Sequence, residues 1–519
     1  MNGPIPFKLQ GDCDIGRLLG GLNAQYTIKK EPDKTETTTI YDTFDWRLFK
    51  KSLVLHRCGD KVCLRNLFQR DLLHCISIDS PPVFVWEFPD GRFKKQLAPI
   101  LGVRALLKLA EVRSRLRPCG LLDSEGKTVV RLACEEIRSS SEENAPAPAV
   151  YLWLLPVKGY SRHARKIAEQ FAAAGLAVGT EDAVYFEGLR MAGKEPGSYS
   201  SKMTVQLAPE MRADEATKAI LRFLLQIIRV NEANIEKDID TEFVHDFRVA
   251  VRRTRSALGQ IRSVFPSRTT DRFKKEFASL GKLSNALRDL DVYLLREAAY
   301  KKKIVPVLRK DIDPLFDHLR KKRAEAFQEV VRGLKSGRYE KGIKDWETFL
   351  NKPVPSSPTA PNAGLPVITL ARKRIITKYR RVVKTGKQVL EGGDDTMLHI
   401  LRIHCKKLRY LMEFFAGLFP ADKMDILISQ LKRLQDNLGE INDLRVQEEY
   451  LLTVAGELST ERGQSRRTLL AIGSLVGTLA AERQSAKDAF AETFSDFASS
   501  SNEALFQDLF APQVSGGEP

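Results

Sequence analysis

The 519-residue chain has no uninterrupted apolar run near the ~18 residues that cross a bilayer, so no membrane span is expected. Residues 1–16 lack a basic-then-apolar segment, and no signal peptide is read there. Cysteine is sparse: seven residues, an odd number, without a CxxC pair and with six of them before Glu135. They read as reduced thiols of a cytoplasmic protein. No P-loop, nucleophile elbow or zinc spacing occurs, so no catalytic residue, metal ligand or cofactor is assigned. Acidic residues are also short, 66 against 83 Lys and Arg, which leaves a net charge of +17. A balance of that sign points to polyanionic partners: nucleic acid, inorganic phosphate polymers or an anionic surface. Aromatics rarely interleave with the basic positions, as base stacking would prefer, Tyr410 being the exception.

With 43% hydrophobic and 29% charged residues, the chain reads as globular, with room for two to four domains. Residues 1–200 carry short β-like runs at 37–41, 53–56, 61–67, 73–78, 84–88, 111–116, 129–133 and 151–156, separated by turn signals such as Pro89-Asp90-Gly91. Helical patterns interrupt at 99–110 and 162–174. An α+β domain dominated by an antiparallel sheet is predicted. Arg113, Arg115 and Arg117 alternate at period two, as do Lys61, Cys63 and Arg65, which gives strands one basic face or simply a polar outer one.

From about residue 205 the pattern is nearly all helical, and one helix dominates it. At about 100° per residue, His245, Arg248, Arg252 and Arg255 share an arc of roughly 80°, while Phe247, Ala250, Val251, Leu258 and Ile261 occupy the adjacent arc. The arrangement returns 154 residues later: His399, Arg402, Lys406 and Arg409 repeat the first four positions, and Lys407 answers Arg253. Arg288-Asp289 and Asn442-Asp443 each follow their histidine by 43 residues. An internal duplication follows. A solvated face normally mixes signs so that i,i+4 pairs form, yet after Asp246 this one is purely cationic, and like charges at that spacing cost stability. An anionic partner that offsets them is the economical inference. Helices are also predicted at 272–291, 312–334, 341–350, 367–390, 421–438, 446–458, 461–480 and 483–494. The Pro- and Ser-rich stretch 351–366 cannot continue a helix and reads as a linker. The predicted organisation is an α+β domain (1–200), two helical bundles (205–350 and 367–510) with that linker between them, and a frayed tail (511–519).

The His/Arg helices, together with Arg288-Asp289-Leu290-Asp291-Val292 and the run at 431–443, resemble the CHAD family over roughly residues 209–507. That resemblance implies two pseudo-symmetric helical bundles that bind inorganic polyphosphate in a basic groove and associate with polyphosphate granules. One departure is Ser284-Asn285, where a Leu-Gly step such as Leu438-Gly439 is more usual. The N-terminal segments 41–57 and 102–136 resemble the CYTH family, an antiparallel β tunnel whose members include cyclases and tri- and polyphosphate hydrolases. A CYTH-like domain followed by CHAD is a known arrangement. The hydrolytic members carry ExExK on the first strand, whereas residues 5–12 here contain Lys8 and no glutamate, with acidic candidates at Glu111, Glu135 and Glu136. The domain therefore reads as a degenerate CYTH-like one without enzymatic activity, which retains phosphate contacts through Arg65, Arg113, Arg115 and Arg131.

The expected polyphosphate-binding residues are His245, Arg248, Arg252, Arg253, Arg255, Arg288, His399, Arg402, Lys406, Lys407 and Arg409. A linear polyphosphate has no bases to read, so its binder needs rows of ammonium point charges and bidentate guanidinium forks. His245 and His399 either donate to phosphate oxygens or bond a carboxylate such as Asp289 or Asp443; the residues alone leave both roles open. The two other readings are a CYTH-type hydrolase and a nucleic-acid binder.

Overall fold

The computed structural model describes residues 3–9, 15–68, 72–140, 147–460 and 466–511, in two compact units, residues 1–200 and 201–519. Residues 461–465 and 512–519, which include the start of one predicted helix and most of the predicted tail, lie outside the described residues.

The first unit runs β1 (Ile5–Leu9), α1 (Ile15–Leu22), β2 (Thr27–Lys30), β3 (Lys34–Thr43), β4 (Leu53–Cys58), β5 (Lys61–Asn66), β6 (Leu72–Ser77), α2 (Arg92–Leu101), β7 (Leu106–Leu122), β8 (Thr128–Ser139), β9 (Ala149–Pro156), α3 (Ser161–Ala173), β10 (Ala177–Val178) and α4 (Ala183–Met191). Among the described residues the strands form one antiparallel sheet in the order β10-β1-β9-β8-β7-β3-β4-β5-β6, with β2 also beside β7. β7 spans both partners because its pattern alternates: Val112 and Ser114 are buried, while Arg113, Arg115 and Arg117 face solvent. Apolar layers seal the sheet, with Ile167 and Phe171 of α3 packing on Phe7, Leu132 and Leu154. Phe93, Leu97 and Leu101 of α2 cover Leu55 and Leu64.

Three local expectations fail here. Residues 84–88 are not a strand, since Val85–Glu87 form a 3-10 turn closed by the Glu87 carboxylate on the Phe84 N–H. The predicted helix at 99–110 is displaced. α2 begins after Gly91 and stops at Gly102, whose φ of +57° continues no helix, and Leu106 then opens β7. The cysteines are not all free thiols, because Cys63 and Cys75 form a disulfide. They are direct cross-strand partners on β5 and β6 with Cα atoms 4.1 Å apart, a neighbourhood created by strand register that a spacing of 12 residues does not reveal. Cysteine usage therefore gives no argument for a reducing compartment.

The second unit is helical: α5 (Ala213–Ile235), α6 (Glu242–Gln260), α7 (Ser267–Leu283), α8 (Asn285–Leu295), α9 (Glu297–Lys303), α10 (Asp313–Leu334), α11 (Gly337–Asn351), α12 (Val367–Leu390), α13 (Asp395–Phe415), α14 (Ala421–Thr460), α15 (Arg466–Asp488), α16 (Phe490–Phe497) and α17 (Ser500–Phe510). The duplication is visible in the element starts. α12 begins 154 residues after α5, α13 153 after α6, α14 154 after α7, α15 153 after α10 and α16 153 after α11. The halves share apolar surface, since Tyr293, Leu315 and Phe316 from the first pack in one cluster with Leu451, Val454 and Leu475 from the second. The proline-rich stretch is tied down. The N–H groups that open α5 donate to it, Ala213 to the Leu365 carbonyl (2.8 Å) and Asp214 to that of Ala363 (3.1 Å).

The two predicted segments 421–438 and 446–458 are one continuous helix of 40 residues, α14, which passes through Leu438-Gly439. Its counterpart in the first half breaks into α7 and α8 at Ser284, whose hydroxyl donates to the Leu280 carbonyl (3.2 Å). Such side-chain bonding to the backbone competes with the helix ladder, so the Ser-Asn departure shows as a break.

Candidate anion-binding groove

α6 buries Phe243, Phe247, Ala250, Val251 and Leu258, so the stripe beside them, carrying Arg252 and Arg255, is left exposed. α13 does the same, with Leu401, Cys405 and Leu408 buried and Lys407 outside. α6 and α13 meet each other, and α12 lies along α13. The three helices bound a groove of about 650 Å³. Its cations come from four places: Arg252, Arg255 and Arg262 on α6 and the turn after it, Lys274 on α7, Arg374, Lys378 and Arg381 on α12, and Lys406 with Lys407 on α13. No Asp or Glu lines it among the described residues. Tyr410 braces the wall by accepting from Arg252 Nε at 2.7 Å, and Gln260 joins the helices through Nε2 to the Lys407 carbonyl, 3.1 Å. A smaller cleft of about 140 Å³ shares Arg252 and Arg255 and adds Arg248 and Lys282.

The crowding of like charges is legible in the titration of the lysines. Burial pushes Lys378 down to about 8, aided by Lys407, Arg381, Arg262 and Arg374. Burial likewise brings Lys406 to about 8, with Arg402 and Arg252 lowering it further against an opposing pull from Asp443. His404, behind the groove beside the Thr385 hydroxyl at 3.3 Å, is lowered to about 4 by burial and then by Lys378, Arg381 and Lys407, so it is neutral at pH 7. An anion entering this space meets nine cations in a partly desolvated setting, with Lys274 paired to Asp271 at 3.7 Å.

Of the eleven residues expected from the repeat, Arg252, Arg255, Lys406 and Lys407 line the groove and Arg248 the adjoining cleft. The others hold the helices. Arg253 donates to Glu413 (2.7 Å) and to the Ser201 carbonyl (2.9 Å), and Arg409 pairs with Glu413 at 3.1 Å. Arg288 reaches Glu242 and the Thr241 carbonyl, both at 3.4 Å, and so ties α8 to the start of α6. Arg402 pairs with Asp443 at 3.0 Å. His399 Nδ1 lies 3.0 Å from the Asn442 amide oxygen, and His399 is not among the groove-lining residues. His245 is half-buried one turn before Arg248 and is not among the groove-lining residues.

Arg262, Lys274, Arg374, Lys378 and Arg381 escaped the repeat-based reading because they have no repeated partners. The positions 154 residues before Arg374, Lys378 and Arg381 hold Ile220, Leu224 and Ile227, all apolar. The usable signal was the i, i+4, i+7 spacing of three cations on one face of α12.

The first unit does not assemble the four secondary arginines. Arg65 faces a cavity of the first unit and is ion-paired there with buried Asp182 at 2.5 Å. Arg113 and Arg115 are on the opposite, solvent face, Arg115 paired with Asp33 at 2.7 Å, and Arg131 is exposed. Lys8 is bonded to Glu187, which also accepts from Tyr151 Oη at 2.9 Å and Arg190 Nε at 2.6 Å. Among the described residues no group of three or more His, Cys, Asp or Glu is placed to hold a metal ion.

A helical unit of two repeated halves with a cationic cleft at their junction defines a duplicated α-helical domain. Residues 219–452 match the sequence profile of the CHAD domain. Solved structures similar to this chain include the CHAD domain from the plant Ricinus communis (24% identity, TM-score 0.48, 56% of this chain and 95% of that one) and PptA from Streptomyces chartreusis (17% identity, TM-score 0.43, 55% of this chain and 100% of that one). No curated protein sequence matches the chain. The antiparallel sheet of the first unit is consistent with a CYTH-like domain. Among the described residues no helix is long and apolar enough to cross a membrane.

Proposed function

We propose that the protein binds inorganic polyphosphate in the groove between α6, α12 and α13, and associates through it with polyphosphate granules. The observation that carries the reading is the set of nine Lys and Arg side chains from both repeats around one cleft, with no acidic group among its lining residues. Rows of cations without stacking platforms suit a polymer of phosphates better than a nucleic acid. Tyr410, the aromatic nearest the basic stripe, is 3% exposed and occupied with Arg252, so it offers no face to a base. We also propose that the protein is a binder and not a hydrolase. The first strand supplies no carboxylate, and Lys8, the remaining element of the signature, is neutralised by Glu187. The test is competition of labelled long-chain polyphosphate against RNA of matched charge, with phosphate release followed in the same samples and a fluorescent fusion imaged against polyphosphate bodies. Preference for polyphosphate without release and co-localisation are expected. Equal displacement by RNA, or metal-dependent turnover, would overturn the reading.

A further inference from the structure

The first unit carries an open-mouthed cavity of about 430 Å³ whose chemistry differs from that of the groove. Most of its wall is apolar, from Ile40, Val54, Leu116, Leu155 and Val184 to the ring of Trp153. Its one cationic lining residue, Arg65, is already paired with Asp182 at 2.5 Å, and the Asp182 side chain is fully buried. A second carboxylate, Glu135, is 8% exposed and held from both sides, by Ser114 Oγ at 2.5 Å and Trp153 Nε1 at 2.7 Å. The acidic lining groups therefore outnumber the basic one. A triphosphate placed here would set several negative charges against two carboxylates and a guanidinium that has its counter-ion, which is the wrong balance for phosphate.

Apart from the oxygens of Asp182, which Arg65 holds by charge, two polar atoms of the lining residues are left over. Tyr185 is 2% exposed, and its buried hydroxyl has no hydrogen-bond partner among the described residues; the same holds for His56 Nδ1. Burial, aided by Arg65, lowers His56 to about 4, so its imidazole is neutral at pH 7 and one ring nitrogen is an acceptor. Buried polar groups are rarely left unsatisfied, and a cluster of them in an apolar cavity points to a ligand that completes them.

We infer that this cavity binds an uncharged amphipathic small molecule with an apolar body and a hydroxyl that accepts from Tyr185 Oη. The space that the resemblance would give to a charged phosphate chain is thus fitted to a different ligand class, independently of the helical groove.

The test uses the full-length protein and three probes: 2-naphthol, naphthalene and inorganic triphosphate. Fluorescence titration should show 2-naphthol binding about fivefold more tightly than naphthalene, the gain of one neutral hydrogen bond. Tyr185→Phe should reduce that preference to less than about twofold while leaving naphthalene bound. Val184→Phe, which narrows the cavity from α4, should weaken both aromatic probes more than about tenfold. Triphosphate should displace neither. Displacement by triphosphate overturns the inference, as does a hydroxyl preference that survives in Tyr185→Phe, or unchanged aromatic binding in a folded Val184→Phe protein. If Val184→Phe does not fold, the Tyr185→Phe arm and the triphosphate competition decide alone.

Discussion

Replacing Lys378 and Arg381 with alanine tests the groove at the positions that no motif suggested. Both side chains line it from α12, and both are cationic neighbours of Lys407 or His404. A charge-assisted contact contributes about 1.5–3 kcal/mol. Arg381 is exposed, so the lower end applies to it, and about 3 kcal/mol for the pair corresponds to a loss of affinity of about 100-fold. If about six to nine phosphates are neutralised, log K should fall against log salt with a slope of about −4 to −6, and the double variant should make it shallower by about 1.4. The matched control is Arg380→Ala with Lys384→Ala, which removes the same charge from another cleft along α12. At physiological salt, charges beyond about 8 Å are screened, so the control should cost less than about threefold. Helix content and Tm should hold in both, since alanine favours the helix and each change relieves like-charge repulsion. Fluorescence anisotropy with labelled polyphosphate at several salt concentrations reads the affinities. Equal losses in the two variants would mean that net charge alone governs binding. No loss in the groove variant would place the polymer elsewhere.

Further outcomes follow from the same geometry. Lys378 and Lys406 titrate near 8 in the folded protein against 10.5 ordinarily, so the unfolded chain holds more protons between those values and the free protein should gain stability as pH rises from about 8 to 10.5. A polyanion favours the protonated lysines; calorimetry at pH 8 in buffers of different ionisation enthalpy should therefore detect uptake of up to about one proton, and affinity should decline as pH passes 8. Glu413→Gln removes the carboxylate shared by Arg253 and Arg409, and should lower Tm while strengthening polyphosphate binding several-fold, because two guanidiniums beside the groove lose their counter-ion. Gly386→Ala drives a Cβ into the Phe494 ring, and should destabilise the helical unit by about 1–3 kcal/mol in thermal unfolding.

The duplication was legible because repeated positions carry chemistry: His399 to Arg409 announce α13, and the 154-residue step then reproduces element starts to within one residue. The limits of α12 were readable from Pro366 before it and a periodic apolar face, and they fall at the predicted Val367–Leu390. Pairing was harder to read. Nothing within residues 53–77 says that Cys63 will face Cys75, because register is decided by the whole hairpin. The site was half-legible for a related reason. A helical wheel shows which residues share a face, not whether a carboxylate from the same or another helix reaches them, and so Arg253 and Arg409 read as free cations until Glu413 is placed between them.

The two halves repeat the backbone and yet make a one-sided groove. α6 and α13 supply equivalent stripes, but the helix packed against α13 carries Arg374, Lys378 and Arg381 where the helix packed against α6 carries Ile220, Leu224 and Ile227, all buried. Duplication brought two cationic helices into contact, and divergence of the neighbouring helix then supplied a second wall on one side. Like charges gathered this closely are tolerated because the groove is open to water on one face and because Tyr410 and Gln260 brace its walls. The cost shows in Lys378 and Lys406, both held near 8 by burial first and then by the neighbouring cations. A polyanion that occupies the groove removes that cost, so the binding energy includes relief of repulsion built into the free protein as well as the new contacts.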